Sequence, residues 1–142
     1  MREGDAMSQP MKILAVDDSM VMLKILSGTI AGLGYEPLIA PNGKEALEVL
    51  ERQIDEIALI ILDWNMPVLG GLDTLVLIRA SERFRHIPVL MVTTESERKN
   101  LIQAMQAGAS QYLTKPFSSE ELAVRIVECL GNSLTNRKEQ GL

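Results

Sequence analysis

Short apolar runs alternate with amphipathic stretches along most of this chain, and that alternation predicts its elements. Met11 to Val16 reads as a first strand. From Ser19 to about Leu33, Leu23, Leu26, Ile30 and Leu33 recur at helical spacing, with Gly32 and Gly34 as stop signals. Tyr35 to Ala40 predicts a short second strand and Pro41-Asn42-Gly43 a turn. Gly43 to about Gln53 predicts a helix with Leu47, Leu50 and Ile54 facing inward. Ile57 to Leu62 is apolar without a break, the pattern of a strand buried on both faces. Leu72 to Ala80 predicts a third helix and Ile87 to Val92 a fourth strand, with Pro88 near its start. Ser96 to Ala107 predicts a fourth helix, stopped by Gly108, and Gln111 to Thr114 a fifth strand. Ser118 to Leu130 predicts the last helix: Ser118 and Glu121 have capping-box spacing and Gly131 is its stop.

Five strands alternating with five helices predict an α/β fold, a parallel sheet doubly wound by helices on both faces. The length of 142 residues suits one domain, and 46% hydrophobic residues suffice for its core. Residues 1–10 read as a disordered N-terminal extension, 11–131 as the domain and 132–142 as a C-terminal tail. No apolar run approaches a membrane span, and the polar start lacks the apolar stretch of a secretory signal. A cytoplasmic protein without membrane insertion is therefore expected. The net charge of -5 argues against nonspecific nucleic-acid binding. Cys129 is the only cysteine, so no internal disulfide is possible, and its apolar flanks predict a buried, inert thiol. His86, the only histidine, lies in a polar stretch and reads as a solvated loop residue, whereas Met20, Met22 and Met105 are expected in the core.

The chemistry gathers after the strands. In open α/β sheets, ligands bind beyond the carboxyl ends of the strands. The first strand is followed by Asp17-Asp18-Ser19, the third by Asp63, the fourth by Thr93-Thr94-Glu95 and the fifth by Lys115-Pro116. A sheet order with the first strand between the second and third brings Asp17, Asp18, Asp63, Thr93 and Lys115 to one edge. Like charges about 4 Å apart repel by about 4 kcal/mol at an effective dielectric near ~20, so the cluster needs a raised pKa, a metal or cations. An all-oxygen, partly hydrated acidic site suits Mg²⁺. Lys115 and the Thr93 hydroxyl match phosphoryl oxygens, and a carboxylate beside them can act as the nucleophile of an acyl phosphate. Each residue also has an ordinary reading: Asp18 or Ser19 as a helix cap, Asp63 as a turn residue, Thr93 as a strand end and Lys115 as a surface lysine. Those readings must coincide at one edge to explain the pattern.

At these residues the chain resembles the receiver domain of two-component response regulators, and especially the single-domain chemotaxis regulators of the CheY type. The resemblance covers Lys12 to Leu130. It rests on Asp17-Asp18-Ser19, Asp63-Trp64-Asn65-Met66-Pro67, Val89 to Thr93, Gln106 to Ser110, Tyr112 and Lys115-Pro116-Phe117. It implies a flavodoxin-like sheet of order 2-1-3-4-5, an order for which CheY is itself a standard example. It implies Asp63 as the acceptor of a phosphoryl group from a sensor histidine kinase. It further implies direct Mg²⁺ ligation by Asp18, Asp63 and the Asn65 main-chain carbonyl, with Asp17 acting mostly through water. Lys115 and Thr93 would contact the phosphoryl oxygens, the Lys115-Pro116 bond would be cis, and Thr93 and Tyr112 would form the switch. Asn65 and Glu95 would set the rate of phosphoryl loss. Three positions depart from the common pattern: Leu23, with Lys24 next, replaces a basic residue; Gly70-Gly71 replaces Asp-Gly; and Thr94 stands where alanine is common.

The readings left open are a stand-alone regulator acting on a protein target, with the flagellar motor switch as a candidate, and a phosphorelay intermediate passing its phosphoryl group to another histidine protein. A flavin carrier or a phosphatase on a similar fold is a third class. Asp17-Asp18 would repel a flavin phosphate, and Asn65 stands where an aspartyl phosphatase would carry a second acid.

Overall fold

The computed structural model describes residues 11–94 and 98–141. Its elements run β1 (Lys12–Val16), α1 (Met20–Gly32), β2 (Glu36–Ala40), α2 (Gly43–Gln53), β3 (Ile57–Asp63), α3 (Gly71–Ala80), β4 (Val89–Thr94), α4 (Arg98–Gln106), β5 (Gln111–Lys115) and α5 (Ser119–Gly141). A single 3₁₀ turn, Ile54–Glu56, links α2 to β3. All strands pair in parallel, in the order β2-β1-β3-β4-β5, as the resemblance implies.

Strand periodicity of two divides the core into two layers. Leu14, Val16, Ile60, Leu62, Val89 and Met91 point to one face, where they meet Ala46 and Leu50 of α2, Leu75 and Ile78 of α3 and Ala104 of α4. Ile13, Ala15, Leu59, Ile61, Leu90 and Val92 point to the other, against Leu23, Leu26 and Ile30 of α1 and Leu122, Ile126 and Cys129 of α5. β3 is buried on both faces because it lies between β1 and β4 with helices on either side, which accounts for its unbroken apolar run.

Helix starts follow local chemistry. The Ser19 hydroxyl accepts from Met22 N, so Ser19, not Asp18, caps α1. Asn42 Oδ1 accepts from Glu45 N at the start of α2. The Ser118–Glu121 capping box is present, with reciprocal bonds of 3.0 and 2.9 Å. α3 has Gly70 at its N-cap and no side-chain cap, as the loss of Asp from the usual Asp-Gly turn suggests.

Several boundaries differ from the sequence expectation. β4 starts at Val89 because Pro88 has no N–H for the ladder, and it extends to Thr94. α5 passes through Gly131, the expected stop, and continues to Gly141. Glycine lowers helix propensity by about 1 kcal/mol but ends a helix only where the backbone turns left-handed, as Gly34 and Gly108 do and Gly131 does not. Cys129 is buried, and that burial pushes its thiol pKa up to about 12, so the thiol is unreactive as expected. His86 is exposed, also as expected. Met20 and Met105 are exposed instead of in the core: Met20 opens α1, and Met105 lies about 100° round α4 from buried Ala104. Met22 packs partly against the α1–α5 layer.

The loop after β3 holds a strained residue. Val68 has φ 70°, and Leu69 N donates to Pro67 O at 2.7 Å across it. That is a γ-turn of the rare left-handed kind, centred on a β-branched residue that is 76% exposed. Packing gives the valine nothing there, so Val68→Gly, which removes the Cβ that this backbone crowds, should raise the stability by about 1 kcal/mol. A urea midpoint unchanged or lowered by Val68→Gly would contradict this.

Candidate functional site

Strand register builds the site. Val16 pairs with Leu62, so continuing the register by one residue sets Asp17 beside Asp63. Asp63 pairs with Val92 on its other side, and Thr94 with Lys115. Asp17, Asp63 and Lys115 share the parity of residues that face α1 and α5, and Thr93 has the opposite parity.

The structure brings the three acids together. One carboxylate oxygen each from Asp17, Asp18 and Asp63 lies within 4.8 Å of the others. Asp17 and Asp63 are buried and Asp18 is exposed. Lys115 Nζ joins the buried pair, 3.1 Å from Asp17 Oδ2 and 2.9 Å from Asp63 Oδ1. Asp17 Oδ1 also accepts from Ser19 N at 2.9 Å. Asp17 therefore has both oxygens engaged by this chain, which leaves Asp18 and Asp63 as the freer donors for an ion. All-oxygen, anionic donors of this kind fit a hard divalent cation such as Mg²⁺.

Burial pushes the Asp63 carboxyl up to about 6, against the Lys115 hydrogen bond that lowers it; the charges of Asp17 and then Asp18 add to the rise. For Lys115, burial favours the neutral amine, but its bonds to Asp63 and Asp17 outweigh burial and raise its pKa. The two directions are compatible: the lysine is charged at neutral pH, and one lysine does not offset three acids.

Thr93 is 1% exposed, and its Oγ1 has no hydrogen-bond partner. A buried hydroxyl without a partner costs roughly 1–3 kcal/mol, so it suits a place where an acceptor arrives from outside. Tyr112 pairs with Met91 one strand over and is 39% exposed. The Lys115-Pro116 peptide is cis, as the resemblance implies. Asn65 is exposed on the loop after Asp63, and Thr94 is exposed at the end of β4. Glu95 lies outside the described residues. Leu23 belongs to the core, and Lys24 lines the outer groove between α1 and α5 with Glu120, so neither replaces the missing cation.

Sequence reasoning missed what Gly71 does. A Cβ there would fall on the Asp63 carbonyl oxygen, and Gly71 N donates to Trp64 O at 2.9 Å. Gly43 has the same character: a Cβ would strike the Thr74 hydroxyl, while Gly43 N donates to Leu69 O. Gly71 lets α3 press against the backbone of Asp63 and Trp64, and Gly43 lets α2 press against Leu69 and Thr74. The Gly70-Gly71 pair was the available signal, since two glycines at a helix start exceed what a cap needs.

Residues 13–127 match the response regulator receiver domain. The chain is 41% identical over 124 residues to the chemotaxis protein CheY1 of Helicobacter pylori, covering 87% of this chain and 99% of that protein. It is 41% identical over 117 residues to the chemotaxis protein CheY of Pseudomonas aeruginosa, covering 82% and 93%. The crystallised Vibrio cholerae chemotaxis protein CheY4 superposes with a TM-score of 0.77 at 34% identity, covering 85% of this chain and 99% of that one. The chain belongs to the response regulator receiver family. Within that family it is CheY-like, a signalling domain of the two-component and chemotaxis type. No helix among the described residues is long and apolar enough to cross a membrane.

The raised Asp63 pKa makes a signed prediction. A carboxyl whose folded pKa lies above its unfolded value stabilises the fold at low pH and loses that contribution as pH rises from about 3.8 to about 6. In metal-free buffer at pH 7.5, Asp63→Asn should therefore be more stable than the wild type by about 1–3 kcal/mol. The gap should close below pH 4. Urea unfolding of both proteins across that range checks it; a variant less stable at pH 7.5 would contradict it.

Proposed function

We propose that this protein is a stand-alone response regulator that accepts a phosphoryl group on Asp63 from a phosphohistidine of a sensor histidine kinase, in a Mg²⁺-dependent reaction, and thereby switches its binding to a protein target. The observation that carries this reading is the placement of Asp63: a buried carboxylate, held 2.9 Å from Lys115 and beside two further acids, with an unpartnered threonine hydroxyl at the end of the neighbouring strand.

The chemistry assigned to each residue follows from its position. The Asp63 carboxylate attacks the phosphorus, a P–O bond forms, and the P–N bond to the donor histidine breaks with its electron pair going to the imidazole. Lys115 and the Thr93 hydroxyl stabilise the equatorial phosphoryl oxygens, and Lys115 exchanges its Asp63 contact for the phosphoryl group. Asp18, Asp63 and the Asn65 main-chain carbonyl would hold Mg²⁺, with Asp17 orienting Lys115 and acting on the ion through water. The ion would supply charge neutralisation at the transferring oxygens. The protein catalyses only its own phosphorylation and dephosphorylation and turns over no other substrate.

The new charge is read at a distance. Thr93, drawn to the phosphoryl group, vacates space toward which Tyr112 turns, which changes the groove of about 850 Å³ bounded by Leu101, Ile102, Met105, Tyr112, Pro116 and Glu121. That surface is assigned to the target, with the flagellar motor switch as the candidate and chemotaxis as the pathway. Location in the cytoplasm, where the kinase domain and such a target meet, completes the reading.

Trp64, the only tryptophan, adjoins Asp63 and reports on it. Its fluorescence should change on adding Mg²⁺ and again on adding acetyl phosphate, and Asp63→Asn should lose the second change. Equal responses from both proteins would show that Asp63 is not the acceptor. Label on Asp63 should decay without an added phosphatase, in keeping with Asn65 and Glu95 as rate-setting residues; persistence for hours would remove that assignment.

A further inference from the structure

The peptide that joins Gly70 to Gly71 is held from both sides. Its carbonyl, on Gly70, accepts from Thr74 N at 3.0 Å and from the Thr74 hydroxyl at 2.7 Å. Its N–H, on Gly71, donates to Trp64 O at 2.9 Å. A peptide unit is planar, so bonds to the carbonyl on one edge also fix the direction of the N–H on the other. That N–H in turn fixes the Trp64-Asn65 peptide, whose carbonyl it holds. Trp64 N donates to Val92 O of β4 at 2.9 Å. The backbone of Trp64 is thus tied at both of its polar groups, one residue after Asp63 and one before Asn65.

Thr74 is fully buried. Gly43, the first residue of α2, lies against its hydroxyl so closely that a Cβ on the glycine would overlap it, and Gly43 N donates to Leu69 O at 3.1 Å. α2 therefore covers the hydroxyl, and a hydroxyl kept from water depends on the one acceptor it has. A threonine that bonds back to the carbonyl four residues earlier is ordinary inside a helix. Here that carbonyl belongs to the peptide that reaches the segment after Asp63. α3 also lacks the usual alternative, because Gly70 at its N-cap has no side chain to order the first turn.

We propose that Thr74 is a positioning residue for the phosphoacceptor site: its hydroxyl sets the Gly70-Gly71 peptide, and through Trp64 O that peptide holds the backbone that carries Asp63 and Asn65. The consequence for metal binding rests on the reading above, in which the Asn65 main-chain carbonyl is a Mg²⁺ ligand; the hydrogen-bonded path from Thr74 to Trp64 does not.

Two substitutions in the full chain separate the hydroxyl from the packing. Thr74→Val keeps the shape and removes the donor, whereas Thr74→Ser keeps the donor and removes a methyl. Gly70→Ala is the control, because a Cβ there would meet Trp64 O at an ordinary 3.5 Å. In metal-free protein, the Gly71 amide should exchange about tenfold faster in Thr74→Val than in the wild type, and at the wild-type rate in Thr74→Ser and Gly70→Ala. Mg²⁺ titrated against Trp64 fluorescence should bind about tenfold more weakly to Thr74→Val and unchanged to the other two. A purely structural threonine predicts the reverse order, since serine leaves a cavity and lowers the urea midpoint. Gly71 exchange untouched by Thr74→Val, or Mg²⁺ affinity that follows the urea midpoint instead of the hydroxyl, overturns the proposal. If the valine variant does not fold, Thr74→Ser decides: it must be less stable than the wild type and still bind Mg²⁺ as tightly. A wild type silent to Mg²⁺, with Gly71 exchange still dependent on the hydroxyl, would sustain the path from Thr74 to Trp64 and reject the metal reading.

Discussion

The contact of Lys115 with two buried acids is the constraint on which this site depends. Asp17 and Asp63 end neighbouring strands, and parallel register leaves them no room to separate. At about 4 Å, two carboxylates repel by about 4 kcal/mol at an effective dielectric near ~20. Lys115 reaches both from the far side of β4, at 3.1 and 2.9 Å, and so permits two acids where packing alone would place apolar residues. The balance is incomplete, since burial still raises Asp63 to about 6. A site short of positive charge is prepared to take up more of it, which is the physical sense in which a divalent cation fits here.

The same edge explains several features that look unrelated in isolation. Gly71 must lack a side chain because the Asp63 carbonyl occupies its place. Thr93 buries a hydroxyl that has no hydrogen-bond partner within the chain. The γ-turn at Val68 lies in the short connection that must carry the backbone from Asp63 through Asn65 into α3. Each is a local cost, and each lies either on the connection that follows Asp63 or at the end of the strand beside it, where strain and unsatisfied groups are tolerated for function. Away from the site, the two core layers are apolar and capped in the ordinary way.

Much of this was legible in the chain itself, for identifiable reasons. The apolar run from Ile57 to Leu62 read as a strand covered on both sides, and it led directly to Asp63. The Ser118–Glu121 box was readable because capping is a local interaction across four residues. Reading failed where local signals were ambiguous. Gly131 looked like a stop, but a glycine ends a helix only when the backbone after it turns left-handed, and nothing in residues 132–141 showed that it would not. Met20 and Met105 looked like core because methionine is apolar, yet burial depends on which face of the helix meets the sheet. Thr74 carried no signal: its acceptor is a backbone carbonyl, which every residue has.

The sequence by itself determined the class of fold and the cast of the site, because strand and helix periods, caps and the polar residues that follow each strand are properties of neighbouring residues. It did not contain the distances. That Lys115, nearly a hundred residues from Asp17, meets it at 3.1 Å follows from the order of five parallel strands and their register, which no local pattern encodes. The protonation of Asp63, the orphaned hydroxyl of Thr93 and the enclosure of Thr74 by Gly43 were likewise decided only in the tertiary structure, since burial and nearby charge exist only once distant segments pack together.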